Sequence, residues 1–246
     1  MRGAVLILGA TSALARSCAV LFARQGYQLI LAGRDLPELQ RLAMDLQLRE
    51  GVRADWEEFA ADVPESHPAF LARVLERTPR LEGVLLAFGD MGDQALAVRE
   101  FAEAERIIRV NFTGAVSILT LCAEQLKAGG GGFVIGITSV AGERGRRSNY
   151  LYGAAKGGLD IFLQGLRNRC FAGGVRVITI RPGFIDTGMT YGLPGLFLVA
   201  SPEYAARRIV NALAQPGDII YVPWFWRVIM FAIRLLPESL FKRLHL

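Results

Sequence analysis

The alternation of two kinds of apolar segment constrains this fold more than any other feature of the sequence. Short runs such as "AVLILG" (4–9), "YQLILAG" (27–33) and "LEGVLLAFG" (81–89) are apolar on both faces, as buried strands of a parallel sheet are. The longer segments between them repeat apolar residues at helical spacing. The order strand, helix, strand predicts an α/β protein with helices covering a parallel sheet.

The predicted elements continue to the end of the chain. Seven strands are predicted, at residues 4–9, 27–33, 52–62, 81–89, 131–139, 175–183 and 218–223. Helices fill the intervals, and two of them are predicted at about 66–77 and 150–172. Neither a linker nor a repeat interrupts this order. Residues 1–223 are therefore predicted to form one doubly wound, Rossmann-type domain of about seven strands with helices on both faces. Residues 224–246 are expected to be an extension of it.

Composition excludes several classes of protein. The net charge is +5 and the basic residues are scattered, which argues against a nucleic-acid partner. His67 and His245 are the two histidines, so a His-rich metal site is excluded and no metal is expected. Cys18, Cys122 and Cys170 lie far apart, as reduced, buried thiols of a cytosolic protein do. The chain begins without a signal sequence, and no apolar run reaches the roughly 18 residues of a membrane span. A cytoplasmic location is expected.

The turn "LGATSALA" (8–15) joins the first strand to the first helix. A dinucleotide pyrophosphate normally binds here, on the free N–H groups of the helix start. Gly9 provides a tight turn, and Thr11 and Ser12 provide hydroxyl donors. Leu14 is also predicted to contact the dinucleotide. An ordinary strand-to-helix turn capped by Ser12 explains these residues as well.

The end of the second strand selects the adenosine partner. A carboxylate there binds the ribose 2′-hydroxyl, and an arginine meets a 2′-phosphate. Arg34 follows Gly33, so NADP(H) is favoured over NAD(H). Asp35 supports the NAD(H) alternative, but with Pro37 and Glu38 it forms a helix capping box that already explains it. Arg34 as a solvated surface charge remains open.

The segment "SNYLYGAAKGGLDIF" (148–162) contains two tyrosines and a lysine. Tyr152 and Lys156 are four residues apart and share a helical face, whereas Tyr150 points elsewhere. A free phenol has a pKa of about 10, and a neighbouring ammonium lowers it. Tyr152 is therefore the predicted acid/base, and Tyr150 is predicted to pack or to line the cleft.

Other polar residues lie where they can join this pair. Ser139 ends a buried strand at the carboxyl edge, where ligands bind in such sheets. Asn111 lies within an otherwise apolar helix, so its amide needs partners. Thr187 follows the Pro-Gly bend of "RPGFIDT" (181–187).

The ordered set "GATSALA", "FAADV", "VNFTGA", "ITSVAG", "YGAAK" and "RPGFIDT" resembles the short-chain dehydrogenase/reductase family over nearly the whole chain. The resemblance implies that Tyr152 donates a proton to a carbonyl oxygen as hydride arrives from the nicotinamide. Lys156 would bind the nicotinamide ribose, Ser139 would position the carbonyl, and Asn111 would hold a relay water. The implied cofactor contacts also include Asp62, Val63, Gly89, Pro182, Gly183, Ile185 and Thr187. Members of the family usually form dimers or tetramers.

Two departures from the family pattern weaken cofactor binding. Alanine stands at positions 13 and 15 where the usual phosphate loop has glycine, so two methyl groups are expected to narrow the pyrophosphate site. The usual Asn-Asn-Ala-Gly is "LAFG" (86–89) here, in which Gly89 alone matches.

The segment after Thr187 suggests an apolar substrate. The family covers its substrate with this region, and here it is rich in apolar residues: Met189, Tyr191, Leu193, Leu196, Phe197 and Leu198. Such a flap fits a hydrophobic or lipid-tailed substrate. A flap that packs on its own domain or on another subunit is the alternative.

The C-terminal segment 224–246 is apolar and basic. Arg227 and Arg234 are seven residues apart, so they share a helical face, and Lys242 and Arg243 follow. A helix of this kind can lie on a membrane surface, or dock on the domain or on a second subunit. Tail and cofactor loop together resemble the decaprenylphosphoryl 2-keto-erythro-pentose reductase branch of the family.

These features predict an NADP(H)-dependent oxidoreductase that interconverts a ketone and a secondary alcohol. The expected substrate is a small molecule or a lipid-linked sugar. Two alternatives remain open: the same enzyme with NAD(H), and a non-catalytic nucleotide-binding scaffold or sensor at a membrane surface.

Overall fold

A computed structural model describes residues 2–78, 80–192 and 197–244. Seven parallel strands form one sheet in the order β3-β2-β1-β4-β5-β6-β7. The strands are β1 (Ala4–Leu8), β2 (Gln28–Gly33), β3 (Ala54–Glu58), β4 (Leu81–Leu86), β5 (Gly132–Ile137), β6 (Val175–Pro182) and β7 (Ile219–Val222). The predicted fold class is confirmed.

Helices occupy the intervals between the strands. They are α1 (Ala13–Arg24), α2 (Leu36–Glu50), α3 (His67–Arg77), α4 (Gln94–Ala97), α5 (Phe101–Ile108), α6 (Gly114–Ala128), α7 (Tyr150–Cys170), α8 (Pro202–Asn211), α9 (Trp226–Leu235) and α10 (Glu238–Phe241). A π-helical turn, Arg109–Thr113, joins α5 to α6.

The segment 52–62, predicted as the third strand with its exit turn, contains β3 and the turn that follows it. It pairs with β2 alone, from Ala54 to Glu58, because β3 lies at the edge of the sheet. The chain then leaves the sheet, and Phe59, Ala61 and Asp62 line the large cavity at the carboxyl edge.

Both faces of the sheet are buried. Val5 and Ile7 pack in one apolar layer with buried residues of α1, α2 and α8. Leu6 and Leu8, their neighbours in β1, pack in the opposite layer with α3, α6 and α7. Successive side chains of a strand point to opposite faces, so a strand covered on both sides is apolar throughout.

One helical run is more apolar than the sequence suggested. Phe101–Ala128 is continuous over 28 residues, and an 18-residue window in it has a mean hydropathy of 1.4, enough by length and composition to cross a membrane. The sequence prediction concerned an uninterrupted apolar run, and this helix, which carries charged residues, passes a test of length and mean composition. Ile118 and Leu119 of this run are fully buried among residues of the sheet, as in the core helix of a globular protein.

The cysteines and the described histidine have ordinary core positions. Cys18, Cys122 and Cys170 are free and buried, and burial raises the pKa of the Cys18 and Cys122 thiols to about 12. His67 bonds to Ser117 at 2.9 Å and to the Ala60 carbonyl at 3.1 Å. Within 2–78, 80–192 and 197–244, no three His, Cys, Asp or Glu side chains group as metal ligands; His245 lies outside these ranges.

The C-terminal extension packs on the rest of the molecule. Trp226, Met230 and Phe241 are buried. The Arg144 guanidinium donates to the carbonyls of Ile233 at 2.6 Å and Leu236 at 2.7 Å, where α9 ends. The same guanidinium stacks on the Phe241 ring at 3.9 Å.

Candidate active site

A large cavity lies at the carboxyl edge of the sheet. It has a volume of about 930 Å³ and spans the point where strand order reverses between β1 and β4, which is where ligands bind in such folds. Fourteen predicted site residues line it: Gly9, Thr11, Ser12, Leu14, Arg34, Asp62, Gly89, Ser139, Tyr152, Lys156, Pro182, Gly183, Ile185 and Thr187. Asn111 and Val63 do not line the cavity.

The turn after β1 brings the backbone of Gly9 close to the backbone of Phe88. Gly9 has φ +83°, and a Cβ there would lie 2.7 Å from the Phe88 amide nitrogen, so only glycine fits. The Ser12 hydroxyl caps α1 by accepting the N–H of Ala15 at 3.2 Å. Ala13 and Leu14, the first two residues of α1, line the cavity. Their N–H groups have no partner within the helix, because they belong to its first turn.

The two alanines of this turn have different environments. Ala15 is fully buried in the apolar core, whereas Ala13 lines the cavity. The expectation that two methyl groups narrow the pyrophosphate site was therefore wrong for Ala15. Only the Ala13 methyl stands at the cavity.

The end of β2 presents an arginine to the cavity. Arg34 is exposed there, while the Asp35 carboxylate caps α2 by accepting the Glu38 N–H at 3.0 Å. In a capping box the Glu38 carboxylate would accept the Asp35 N–H. Here that carboxylate pairs with Arg16 and Arg41 instead. Asp35 thus has a structural partner, and Arg34 is the arginine that lines this end of the cavity.

Asp62 and Val63 separate after β3. Asp62 lines the cavity, and its carbonyl accepts the Arg109 Nε–H at 2.8 Å. Val63 is exposed outside the cavity, and its N–H donates to the Ala60 carbonyl at 3.2 Å. The predicted contact between Val63 and the adenine stays a prediction without support from the cavity lining.

Tyr152 and Lys156 lie on the buried face of α7. Their exposures are 6% and 2%, whereas Tyr150, the first residue of the helix, is 44% exposed. The Lys156 ammonium lies 5.9 Å from the centroid of the Tyr152 ring. It donates to the carbonyl of Ile137 at 3.2 Å and contacts that of Phe88 at 3.5 Å. One face of α7 therefore brings both groups to the ends of β4 and β5.

The pKa of the Tyr152 phenol differs from the expectation. Burial raises this pKa to about 12, the hydroxyl of Ser139 and the guanidinium of Arg146 oppose the rise, and the Asp90 carboxylate adds to it. Burial also lowers the pKa of Lys156 to about 8. The pKa of Tyr152 in the free protein therefore lies above 10, whereas the sequence predicted a lowered value, because burial outweighs the groups that lower it.

Ser139 follows β5 and begins a short 3₁₀ turn. Its hydroxyl oxygen accepts the Ala141 N–H at 3.1 Å. Accepting this bond fixes the oxygen while leaving the O–H free to donate. The site therefore has one oriented hydroxyl next to the phenol.

Asn111 supports the site from behind. Its amide nitrogen donates to the carbonyls of Ile107 at 2.8 Å and Asp90 at 2.6 Å, and its oxygen accepts the Asp90 N–H at 3.0 Å. Both amide hydrogens are therefore used. A Cβ on Gly89 would lie 3.0 Å from the Asn111 oxygen and 3.1 Å from the Lys156 nitrogen. Asn111 thus holds the backbone against which Lys156 packs.

The flap begins on the far side of the cavity. The Thr187 N–H donates to the Thr190 hydroxyl oxygen at 3.1 Å, and that hydroxyl donates to the Ile185 carbonyl at 2.6 Å. Met189, Tyr191, Phe197 and Leu198 are all exposed. Leu193 and Leu196 lie outside the described residues.

Sequence reasoning missed three residues around the site. Asp90 lines the cavity, and its backbone N–H and carbonyl both bond to the Asn111 side-chain amide. Arg146 acts on the Tyr152 phenol through its charge. Trp226 covers Gly183 so closely that a Cβ there would lie 1.9 Å from the indole nitrogen. Its place in an apolar tail gave no signal of this contact.

The residues present fit a nicotinamide dinucleotide. The left-handed Gly9 turn leads into a helix start at the cavity, which suits a pyrophosphate. Arg34 lines the cavity at the end of β2, where adenosine would bind, and Tyr152 and Lys156 line it beside the ends of β4 and β5.

Comparison with known proteins agrees with this geometry. The family described as short chain dehydrogenase matches residues 3–194. An uncharacterized oxidoreductase of Streptomyces coelicolor is 37% identical over 242 residues, covering 98% of this chain and 95% of that protein. An uncharacterized oxidoreductase of Mycobacterium tuberculosis is 35% identical over 219 residues, covering 89% and 88%.

Solved structures support the same fold. A short chain dehydrogenase of Burkholderia cenocepacia in complex with NADP aligns with TM-score 0.81 and 20% identity, over 98% of this chain and 96% of that one. A short-chain dehydrogenase of Sphingobium yanoikuyae in complex with NADPH gives TM-score 0.81, 22% identity and 97% of each chain.

Fold and site together define a dinucleotide-dependent oxidoreductase. The chain belongs to the short-chain dehydrogenase/reductase family and is an NAD(P)-dependent enzyme of that family. This membership sets aside the non-catalytic scaffold.

Proposed function

We propose that this enzyme uses NADP(H) to interconvert a ketone and a secondary alcohol on a hydrophobic substrate. The observation that carries the proposal is the convergence of Ser139, Tyr152 and Lys156 on one wall of the cavity. When bound, NADP(H) would supply or accept the hydride.

The chain's own residues provide the proton and hold the substrate. The Ser139 O–H donates to the substrate oxygen, since its lone pair is engaged by Ala141. Tyr152 donates the proton to the same oxygen during reduction, and a pKa of about 12 keeps it protonated until then. The Lys156 ammonium stabilises the phenolate that develops. Asn111 is a positioning residue that holds the Gly89–Asp90 backbone.

The test is Tyr152→Phe, with Tyr150→Phe as the matched control. Loss of a general acid lowers turnover by about 10²–10⁴-fold, so NADPH oxidation with a ketone should fall by that factor in Tyr152→Phe. The control removes an exposed hydroxyl two residues away and should keep full activity. NADPH affinity and thermal unfolding should stay unchanged in both. Full turnover by Tyr152→Phe would reject Tyr152 as the acid.

NADP(H) is proposed over NAD(H) because Arg34 is exposed at the adenosine end of the cavity, whereas the Asp35 carboxylate is engaged in capping α2. Arg34→Ala should weaken NADPH binding by roughly 10-fold or more, since a charged hydrogen bond contributes about 1.5–3 kcal/mol. NADH binding should be unaffected. Arg41→Ala is the control, because Arg41 lies on α2, seven residues after Arg34, and does not line the cavity. Equal effects on both nucleotides would contradict the preference.

A lipid-linked sugar ketone is the proposed substrate class. Met189 lines the cavity, and the flap leaves Tyr191, Phe197 and Leu198 exposed beside it, so apolar surface is available for a lipid chain. The kcat/KM should rise with the length of an alkyl group attached to the ketone. Each buried CH₂ should add about 0.8 kcal/mol of favourable binding free energy. Efficiency independent of chain length would contradict this class.

A homodimer or homotetramer in the cytoplasm, in peripheral contact with the inner face of the membrane, completes the proposal. Phe101 on α5 and Ile161 on α7 are 77% and 70% exposed, and large apolar side chains of this kind support a subunit contact. Light scattering of Phe101→Arg and Ile161→Arg tests it. An unchanged mass in both variants would contradict a contact at these residues.

A further inference from the structure

Helix α9 has two apolar faces on opposite sides. Its inner face buries Trp226 and Met230 against the domain. The opposite side carries exposed apolar residues, Val228, Phe231 and Leu235, and Trp224 precedes them in the turn that leads into the helix. These four residues, the α9 ridge, are spaced four, three and four apart and are between 60% and 67% exposed. Such spacing puts them on one helical face. A helix this apolar on its outer side needs a cover other than water.

Basic residues flank one side of this ridge. Arg227 and Arg234 are exposed and border a second cleft of about 730 Å³. Arg234 approaches the buried Glu143 carboxylate only at 3.6 Å, and the hydrogen bonds and ion pairs found in the described chain give Arg227 no partner. The Arg227 guanidinium is thus available to an anion outside the protein, and the Arg234 side chain is 59% exposed although it pairs with Glu143.

The inner wall of this cleft is already neutralised. Arg181 makes two hydrogen bonds to Asp160, at 2.8 and 2.7 Å. Arg167 donates to the Val177 carbonyl at 2.8 Å and lies 3.8 Å from Asp218, which also pairs with Arg176 at 3.3 Å. The charge available at the cleft therefore resides at its outer rim, next to the ridge.

We propose that the α9 ridge docks on a bilayer of anionic phospholipid, with Arg227 and Arg234 binding lipid phosphates at the cleft rim. The apolar ridge enters the boundary between headgroups and acyl chains, and the two arginines remain at the level of the phosphates. This surface gives the proposed lipid-linked substrate a place to meet the enzyme, and to that extent the inference rests on the proposed function.

Charge favours a membrane over a second copy of the chain. The segment 224–244 carries four basic residues, Arg227, Arg234, Lys242 and Arg243, and one acidic residue, Glu238. Glu238 is paired with Arg144 at 3.1 Å. A two-fold contact between α9 helices places the same patch on both sides, which sets arginines against arginines. An anionic surface complements them.

The end of the flap packs on the inner face of α9, opposite the ridge. The Phe197 ring lies 5.5 Å from the Trp226 ring and 5.7 Å from the Phe184 ring. Leu198 and Val199, 53% and 44% exposed, follow directly. In the proposed docking, the helix that contacts the bilayer through its outer side therefore also contacts the flap through its inner side.

Flotation with vesicles tests the docking. The full-length protein is mixed with vesicles of phosphatidylcholine alone, or of phosphatidylcholine with phosphatidylglycerol. Each basic residue near an anionic membrane strengthens binding roughly five-fold, so the double variant Arg227→Gln/Arg234→Gln should bind the anionic vesicles about 30-fold more weakly. Phe231→Ser should weaken binding roughly ten-fold or more, because it removes buried apolar area.

Matched controls carry the same chemical changes on other surfaces. Arg49→Gln/Arg99→Gln removes two exposed arginines, and Leu48→Ser removes an apolar side chain that is 89% exposed on α2. Both should bind vesicles as the unaltered protein does. Trp224 fluorescence gives a second readout: its emission should shift to the blue on anionic vesicles, and Trp224→Phe should abolish the shift.

The outcomes separate docking from catalysis. NADPH oxidation with a water-soluble ketone should be unchanged in all ridge and rim variants. Equal flotation of ridge variants and controls would overturn the docking proposal, and so would a ridge variant that loses oligomer mass instead of vesicle binding. A protein that docks but never oxidises NADPH with any ketone would contradict the proposed function and leave docking intact.

Discussion

Burial of the Lys156 ammonium has a direct consequence for the pH dependence of catalysis. Its pKa is lowered to about 8, whereas that of Tyr152 is raised to about 12. As pH rises through 8, Lys156 loses its proton while Tyr152 keeps its own. The phenolate that forms during reduction then lacks a cation. We expect kcat/KM for ketone reduction to be flat below pH 8 and to fall about ten-fold per unit above it, since kcat/KM follows groups of the free enzyme.

The variant Lys156→Arg provides the control for this profile. Arginine stays charged throughout the accessible pH range, so the decline near pH 8 should disappear even where the absolute rate is lower. Initial rates measured from pH 6 to pH 10 give both profiles. A decline that persists unchanged in Lys156→Arg would assign it to another group.

Single residues also show what the sequence was able to predict. The four-residue spacing of Tyr152 and Lys156 sufficed to predict a shared face, because helix geometry is local. Their pKa values depend on burial in the folded chain, which no local pattern encodes. Asn111 was recognised as a buried amide in need of partners, but its partner Asp90 is 21 residues away. Such a bond exists only in the folded chain.

At the scale of elements, the strand ends determine the site. Parallel strands bring their carboxyl ends to one edge, so Gly9, Gly89, Ser139 and Gly183 meet although the sequence separates them widely. The alternation of strands apolar on both faces with helical segments predicted this convergence. It did not predict that α9 would cover Gly183, since contacts between non-consecutive elements depend on side-chain fit.

Trp226 on α9 is predicted to hold the base of the flap. It is 3% exposed, and its ring contacts Phe184 at 5.4 Å and Phe197 at 5.5 Å. Trp226→Ala removes this packing and should lower the free energy of unfolding by about 3–5 kcal/mol. Since both ends of the flap lose a contact, we also expect KM for the ketone to rise more than kcat falls. Urea unfolding and steady-state kinetics measure the two effects.

The neighbouring tryptophan offers a matched control for this substitution. Trp224 is 64% exposed, so Trp224→Ala should leave stability within about 0.5 kcal/mol and KM unchanged. Equal losses in both variants would show that Trp226 has no special position. A Trp226→Ala protein with normal KM would restrict its role to stability.

At the scale of the whole molecule, the described part of the extension, residues 224–244, packs on the rest of the chain. Its buried residues, Trp226, Met230 and Phe241, are covered by the domain, and the Arg144 guanidinium crosses from the active-site loop to the end of α9. The sequence predicted an extension that begins after residue 223 because the sheet pattern ends there. It left membrane, domain and second subunit open, since the same apolar helix serves each purpose; the two faces of α9 became distinct only in the folded molecule.

Truncation after residue 223 tests this attachment. Removing α9 and α10 uncovers Val140, Gly183 and Phe184 next to the site and deprives Arg144 of its carbonyl acceptors. We expect the truncated protein to lose at least as much stability as Trp226→Ala, about 3–5 kcal/mol, which is on the order of 10 °C in Tm for a chain of this size. A chain ending at residue 236 keeps α9 and should lose less, because only the Phe241 contacts are removed. Thermal unfolding of the three proteins with and without NADPH gives the comparison. A 1–223 protein with the full Tm and full ketone reduction would show that the domain does not need the extension. Vesicle binding should then be compared between the whole and the truncated chain rather than between point variants.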